Sequence, residues 1–427
     1  MGRVAVVAGP DAGHAYPALG VAAALARRGH EIVFCSGREH AAIAADHGCD
    51  FLELPLLGPT DRDGDFGHLL WQRGAAMAVP LAAALRGRNL DVVVVDLLTR
   101  GGAFAAQLLG LPWVETIPHH LPDPAADLPP VGLGRAPAHH LLRRLDDRRI
   151  TTQQQASVAA GDRQAAEAAR GIGLDRVTPP ALRLVATLPA LERARLRWPA
   201  RAHVVGPLAV EPALPALEPP DGDDPLVVVT DSTATGVPRG IGRTAIDALR
   251  HLDLRVVVTS SDLPATRERR LVVGRGPHRP LLAQAALAVG PGGGGFVSKV
   301  AAAGVPMVVV PQAGDQREAA ARLAEAGVAR VLRPARATPR RLRWAVVRHL
   351  ADPRPSAAAM RLAEQASHLG PDLAAHLVEQ VMAGARPFAS GPAEHLPDAT
   401  SGREPAAAER SRDAAHHGSP SDPSAPR

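Results

Sequence analysis

Short apolar runs that break into Gly- or Pro-containing turns, each followed by a stretch of helical spacing, recur along the chain to beyond residue 380. The first, Arg3-Val4-Ala5-Val6-Val7-Ala8, shows no polar alternation, so both faces are expected to be buried, as in a parallel strand. It ends in Gly9-Pro10-Asp11-Ala12-Gly13-His14, which reads as a loop. Apolar and alanine positions then repeat with helical spacing from Pro17, read as the helix start, to Arg28, and Arg27-Arg28-Gly29 give a basic last turn and a glycine stop. A strand at 31–35 completes a βαβ unit. The same order returns in Asp91-Val92-Val93-Val94-Val95-Asp96, a helix over 101–109 and a strand over 110–115, which predicts a doubly wound sheet.

Residues 118–180 lose this rhythm, are rich in Pro, His, Arg and Gln, and show weak helical patterning around 136–170. Such an insertion is expected to form a variable wall over a binding cleft. From Pro207 to Pro225 the composition shifts to Pro, Glu and Asp, which reads as a linker. Strands at 226–230, 254–259, 286–289 and 306–310 then alternate with helices, ending in helices near 338–350, 355–368 and 372–383. The tail after Arg386 has no periodicity and is expected to be disordered. The reading is therefore α/β, with two Rossmann-like doubly wound domains at 1–206 and 226–385, a linker at 207–225 and a tail at 386–427.

Composition supports two cores, since 427 residues exceed one ordinary domain. With 46% hydrophobic but only 3% aromatic residues, the interior must be built from small and branched aliphatics. Cys35 and Cys49 have no metal-binding spacing and read as inert buried thiols in a reducing compartment. The opening strand is too short for a signal-peptide core and no apolar run approaches the roughly 20 residues that span a bilayer, so a cytoplasmic protein is expected. The net charge of +5 comes from scattered arginines without stacking aromatics, a solvated surface rather than a nucleic-acid face. There is one lysine, Lys299.

Candidate chemistry concentrates in Gly290-Pro291-Gly292-Gly293-Gly294-Gly295, between the strand at 286–289 and a short helix from Phe296 to Ala303. Backbone N–H groups bared at a helix N-terminus stabilise diphosphate charge. The loop formally fits Gly-x-Gly-x-x-Gly through Gly290, Gly292 and Gly295, with Asp315 placed as the acidic residue of a dinucleotide fingerprint. A dehydrogenase reading would leave the His14 region without a purpose, whereas a turn that serves only strand–helix packing is as reasonable as a phosphate site. The adjacent pairs His119-His120, His139-His140 and His416-His417 read as surface residues, and no metal site is expected.

The surrounding residues add a resemblance. Ala301 to Ala321, with Gly304-Val305-Pro306 and Asp315-Gln316 in place, resembles the nucleotide-sugar-binding half of the UDP-glycosyltransferase and macrolide glycosyltransferase families. Gly13-His14, Pro17 and Arg28-Gly29-His30-Glu31-Ile32-Val33-Phe34 resemble the same families' Gly-His-x-x-Pro and Arg-Gly-His-Glu-Val signatures. The likeness runs from residue 1 to about 385, strongest at 1–55, 88–115 and 277–332.

It implies a GT-B fold with a cleft between the domains, and inverting transfer of a hexosyl group from a UDP- or dTDP-sugar co-substrate to a hydrophobic small-molecule acceptor. No metal or resident cofactor is implied. Alternatives are a MurG-like transferase with a lipid-linked acceptor, which would use an apolar face near Phe66, Leu69, Leu70, Trp71 and Met77, and a non-catalytic binding protein.

By the resemblance His14 is the general base, Asp96 orients it, and Asp315 and Gln316 hold the donor sugar, although Asp96 and Asp315 could each be simple helix caps. Gly292, Gly293, Gly295 and Thr233 join the donor site. The sequence departs from the family where its phosphate histidine falls on Pro291, its Ser or Thr on Phe296, its ribose-binding Glu on Lys299 and its base-stacking aromatic on Arg275. Lys299, expected in the first turn of the helix, would compensate as a cation for the diphosphate, and Arg275 would stack through its guanidinium; otherwise the donor site has decayed.

Overall fold

The computed structural model describes residues 1–57, 67–208, 210–231, 240–312 and 314–384. Thr233 and Phe66, and the tail expected to be disordered, lie outside the described residues. The first half runs β1 (Arg3–Val7), α1 (Ala12–Arg27), β2 (Glu31–Ser36), α2 (Ala41–Asp46), β3 (Asp50–Glu53), α3 (Arg73–Leu85), β4 (Val92–Asp96), α4 (Arg100–Leu108), β5 (Trp113–Ile117), α5 (Leu141–Gly171), β6 (Leu182–Val185) and β7 (Ala202–Val204). The second runs β8 (Leu226–Thr230), α6 (Ile241–Leu249), β9 (Arg255–Thr259), β10 (Thr266–Arg267), β11 (Leu271–Gly274), α7 (His278–Leu282), β12 (Ala285–Gly290), α8 (Gly294–Ala302), β13 (Met307–Val309), α9 (Gln316–Glu325), β14 (Ala329–Val331), α10 (Pro339–Leu350), α11 (Pro353–Ser367) and α12 (Pro371–Met382).

Each half is a seven-stranded sheet, ordered β3-β2-β1-β4-β5-β6-β7 and β10-β11-β9-β8-β12-β13-β14. All pairings are parallel except that of β10 with β11. The central strands β4 and β8 are buried along their whole length, as unalternated Val-rich runs require. The order reverses between β1 and β4 in one sheet and between β8 and β12 in the other, and ligand crevices open at such points beyond the strands' carboxyl ends. Among the described residues no helix is long and apolar enough to cross a membrane.

Several sequence expectations shift. Helix α1 begins at Ala12, not Pro17, because the Asp11 side chain accepts the Gly13 N–H at 2.8 Å and caps it. Pro17 sits inside the helix, and its missing N–H affects only the carbonyl of Gly13, in the first turn. His14 is therefore a first-turn residue rather than a loop residue. The strand expected at 110–115 forms at Trp113–Ile117, after Pro112. Strands β3, β6, β7, β10, β11 and β14 went unanticipated because they are short, and some carry polar residues satisfied only by partners. Arg183 on β6, for instance, pairs with Glu115 at 2.8 Å and Asp123 at 2.9 Å. The insertion forms one long helix, α5, which packs near α3 and the π-helical turn His68–Gln72, and only its preceding Pro118 and His119 reach the cleft described below.

The last helix crosses back. Ala374, Ala375, Leu377, Val378 and Val381 of α12 share a core with Leu19, Leu25 and Phe34 of the first half, although the sequence assigns this helix to the 226–385 unit. Arg28 binds Glu379 at 2.6 Å and Arg27 binds Asp372 at 2.9 Å across the same seam, and the hydrogen bonds from Arg28 and His30 hold the Glu379 carboxyl at about 2. The chain leaving β7 crosses the outer face of α1 at Gly20, where a Cβ would overlap the Leu208 carbonyl. Gly20→Ala is accordingly expected to destabilise the protein by about 1–3 kcal/mol, because backbone must move, despite alanine's better helix propensity. A urea midpoint equal to or above wild type would contradict this close approach.

Candidate functional site

The carboxyl ends of the two sheets face one another across a cleft of about 440 Å³. The first half contributes Asp11, His14, Tyr16 and His119, the linker contributes Glu211, and the second half contributes the turn 293–296, Lys299, Asp315 and Gln316.

His14 is carried on the first turn of α1, and its Nδ1 lies 2.8 Å from Asp96 Oδ1 at the end of β4. The other Asp96 oxygen accepts the Leu98 N–H at 3.0 Å and the Thr99 hydroxyl at 3.2 Å, so one carboxylate both steadies the turn into α4 and holds the imidazole. Asp96 is 1% exposed and does not reach the cleft, whereas His14 is 18% exposed and lines it. Burial pulls the His14 pKa down, but the hydrogen bond and charge of Asp96, with Asp11 and Asp315 adding, overcome this and raise it above its ordinary value. With Nδ1 engaged by the carboxylate, Nε2 is the nitrogen available for proton transfer.

Opposite, β12 runs into the glycine turn and α8, whose N-cap Gly293 offers no side chain. A Cβ on Gly293 or Gly295 would meet nothing within 4 Å, which leaves the helix N-terminus open to the cleft. Gly292 does not line the cleft; its φ of +87° and the proximity of Val309 make it the residue that shapes the turn. Gly294 faces Pro118 of the first half so closely that a Cβ would lie 2.7 Å from that carbonyl oxygen. Asp315 precedes α9 but makes no cap hydrogen bond, so its carboxylate is left to face the cleft. Gln316 is 5% exposed, and its amide oxygen accepts the Gln312 N–H at 2.9 Å.

Residues 243–380 match the family described as erythromycin biosynthesis protein CIII-like, C-terminal domain. The 4'-demethylrebeccamycin synthase of Lentzea aerocolonigenes is 29% identical over 85% of this chain and 95% of its own length. A UDP-N-acetylglucosamine–N-acetylmuramyl-(pentapeptide) pyrophosphoryl-undecaprenol N-acetylglucosamine transferase of Phenylobacterium zucineum is 28% identical over 90% of this chain and 100% of its own. The crystal structure of the glycotransferase of kitacinnamycin superposes with a TM-score of 0.70 at 25% identity, covering 89% of this chain and 98% of that one. The chain has the GT-B fold and is similar over most of its length to antibiotic-type glycosyltransferases.

Three of the four donor-side departures have structural counterparts in this chain. Lys299 lies in the second turn of α8 rather than the first, and its ammonium is 3.0 Å from Glu211 Oε1 of the linker. Glu211 also accepts the backbone N–H groups of His278 at 2.8 Å and Arg279 at 3.2 Å, so it ties the linker to the start of α7. Burial alone would raise the Glu211 pKa, but Lys299 and the two N–H groups lower it. Phe296 packs edge-on against His278, with ring centroids 5.0 Å apart. Burial, reinforced by the Lys299 charge, lowers His278 to about 4, so it is neutral, and its Nε2 lies 2.9 Å from the Thr259 hydroxyl. Arg275 is exposed at the cleft rim, and its charge partly offsets the rise that burial gives the Tyr16 pKa.

Sequence reasoning missed Glu211, His278 and His119. The first sits in a Pro-rich linker and pairs with a distant helix, and the second is a helix start behind Pro277. The pair His119-His120, expected at the surface, is inside: His120 is 7% exposed and 3.2 Å from Glu192, and His119 lines the cleft. Cys35 and Cys49 are free, buried thiols, and burial raises them to about 12 and about 11.

Proposed function

We propose that the protein transfers a hexosyl group, with inversion, from a UDP- or dTDP-sugar to a hydroxyl of a hydrophobic small molecule. The observation that carries this reading is His14, anchored by Asp96 on one wall of the cleft and facing a side-chain-free helix N-terminus on the other. In the proposed step the acceptor oxygen attacks the anomeric carbon from the face opposite the diphosphate. The bond from that carbon to the phosphate oxygen breaks, the electron pair leaves with the diphosphate, and the hydroxyl proton passes to His14 Nε2.

Asp96 stabilises the imidazolium that forms. The backbone of Gly293 to Gly295 and the α8 dipole receive the leaving charge. Asp315 and Gln316 hold the sugar, and Arg275 stacks on the base. A lipid-linked acceptor is less well supported, because Met77 is 8% exposed inside the core and Trp71 packs against Phe104 and under Arg100 instead of forming an outward apolar face.

Calorimetry with UDP and dTDP tests the donor half of the reading; a wild-type protein that binds neither would be a ligand- or partner-binding relative instead. Because Glu211 already neutralises Lys299, the two variants should move in opposite directions. Lys299→Ala leaves a carboxylate beside the diphosphate and should weaken nucleotide binding roughly tenfold, whereas Glu211→Gln releases the cation and should tighten it. Equal affinities in all three proteins would place Lys299 outside the donor site.

A further inference from the structure

From the geometry we infer that His119 is a positioning residue that accepts a hydrogen bond from a hydroxyl of the transferred sugar; this rests on the donor site proposed above. His119 projects from the loop after β5 into the cleft, edge-on to His14 with ring centroids 6.3 Å apart. Its Nδ1 is 2.8 Å from the His120 carbonyl. A carbonyl only accepts, so Nδ1 carries the proton and the neutral ring presents a lone pair at Nε2. Among the described residues Nε2 has no protein partner.

The ring is kept neutral chiefly by burial, with His14 and His120 lowering its pKa further and only Asp315 and the His120 carbonyl opposing. His14 on α1 is raised while His119 is lowered, so the two imidazoles are biased in opposite directions, one toward taking up a proton and the other toward staying a fixed acceptor.

The chemistry of the facing groups selects the ligand. His119 and Asp315 line the same cleft beside Gly294, one from each half. A neutral imidazole lone pair and a carboxylate are both acceptors, so what lies between them must donate. A diphosphate cannot donate, but sugar hydroxyls can. The position also suits a sugar, between the α8 N-terminus that would take the diphosphate and the imidazole that would take the proton.

The test needs no acceptor substrate. Kd values for UDP and UDP-glucose, and for dTDP and dTDP-glucose, are measured by calorimetry on wild type, His119→Asn and His119→Gln. Asparagine keeps an N–H for the His120 carbonyl but has nothing where Nε2 was, whereas glutamine can place its amide oxygen there. His119→Asn is expected to bind UDP and dTDP as wild type does, with the ratio of sugar-nucleotide Kd to nucleotide Kd raised about fivefold to tenfold. His119→Gln should restore most of that ratio. An unchanged ratio in His119→Asn, or glutamine no better than asparagine, overturns the proposal while leaving the donor site standing. Wild type that binds neither nucleotide removes the donor site itself. If the asparagine variant fails to melt cooperatively, His119→Leu takes its place with the same expected ratio.

Discussion

His14→Ala is expected to lower turnover by about 10²–10⁴-fold, the usual worth of a positioned general base, while Kd for the nucleotide stays within about twofold. The proposed nucleotide contacts lie on the opposite wall of the cleft, so the two readouts separate chemistry from binding. Asp96→Asn should cost nearly as much. The asparagine oxygen can still accept the Leu98 N–H, but its amide would donate to His14 Nδ1 and leave the ring proton on Nε2, where the base must be free.

The pH profile follows from the same pair. His14 works as a base only when neutral, and its pKa is raised, so kcat/KM should climb with pH through a value above that of an ordinary histidine and then level off. In Asp96→Asn the supporting charge is gone while burial remains, and the acid limb of whatever activity survives should move to lower pH. Full turnover in His14→Ala, or an acid limb that stays in place in Asp96→Asn, would sink the assignment.

Arg322→Ala should be the most destabilising single change, by about 3–5 kcal/mol, because it leaves buried carboxylates short of a cation. Arg322, on α9, is 3% exposed and donates to Glu318 at 2.8 Å and to Glu192 at 3.3 Å, and Glu192 belongs to the first half. Arg193 reaches the other way, to Glu318 at 3.3 Å and Glu325 at 2.5 Å. Burial would raise the Glu192 pKa, but His120, Arg322 and the Leu121 N–H together lower it.

A depressed folded-state pKa stabilises above the unfolded carboxylate value and is lost as pH falls through the folded one. The deficit of Arg322→Ala should therefore be full at neutral pH and shrink below about pH 4. Denaturant midpoints at pH 7 and pH 3.5 would check this, and a loss under about 1 kcal/mol at pH 7 would mean that the cluster rearranges freely.

The central strands were legible because parallel strands buried on both faces leave an unalternated Val-rich run that nothing else in the chain imitates. The placement of His14 and Asp315 at the cleft was legible because each stands beside a short local pattern where a strand gives way to a helix. The start of α1 was not, since Gly9 to Gly13 looks like a loop until Asp11 is seen to cap it. Nor were Glu211 and His119, whose roles depend on partners remote in sequence or on a single backbone carbonyl. The partner of Lys299 was hidden for the same reason: composition marks the chain's one lysine, but not the carboxylate that the linker brings to it.

The return of α12 onto α1 bears on biogenesis. While the chain is being synthesised, the first sheet can pair its strands, but the flank of α1 that α12 covers stays bare until residues 371–382 have left the ribosome. Nascent chains stalled before that point would carry a sticky seam for chaperones to shield, and the N-terminal half expressed alone would share it.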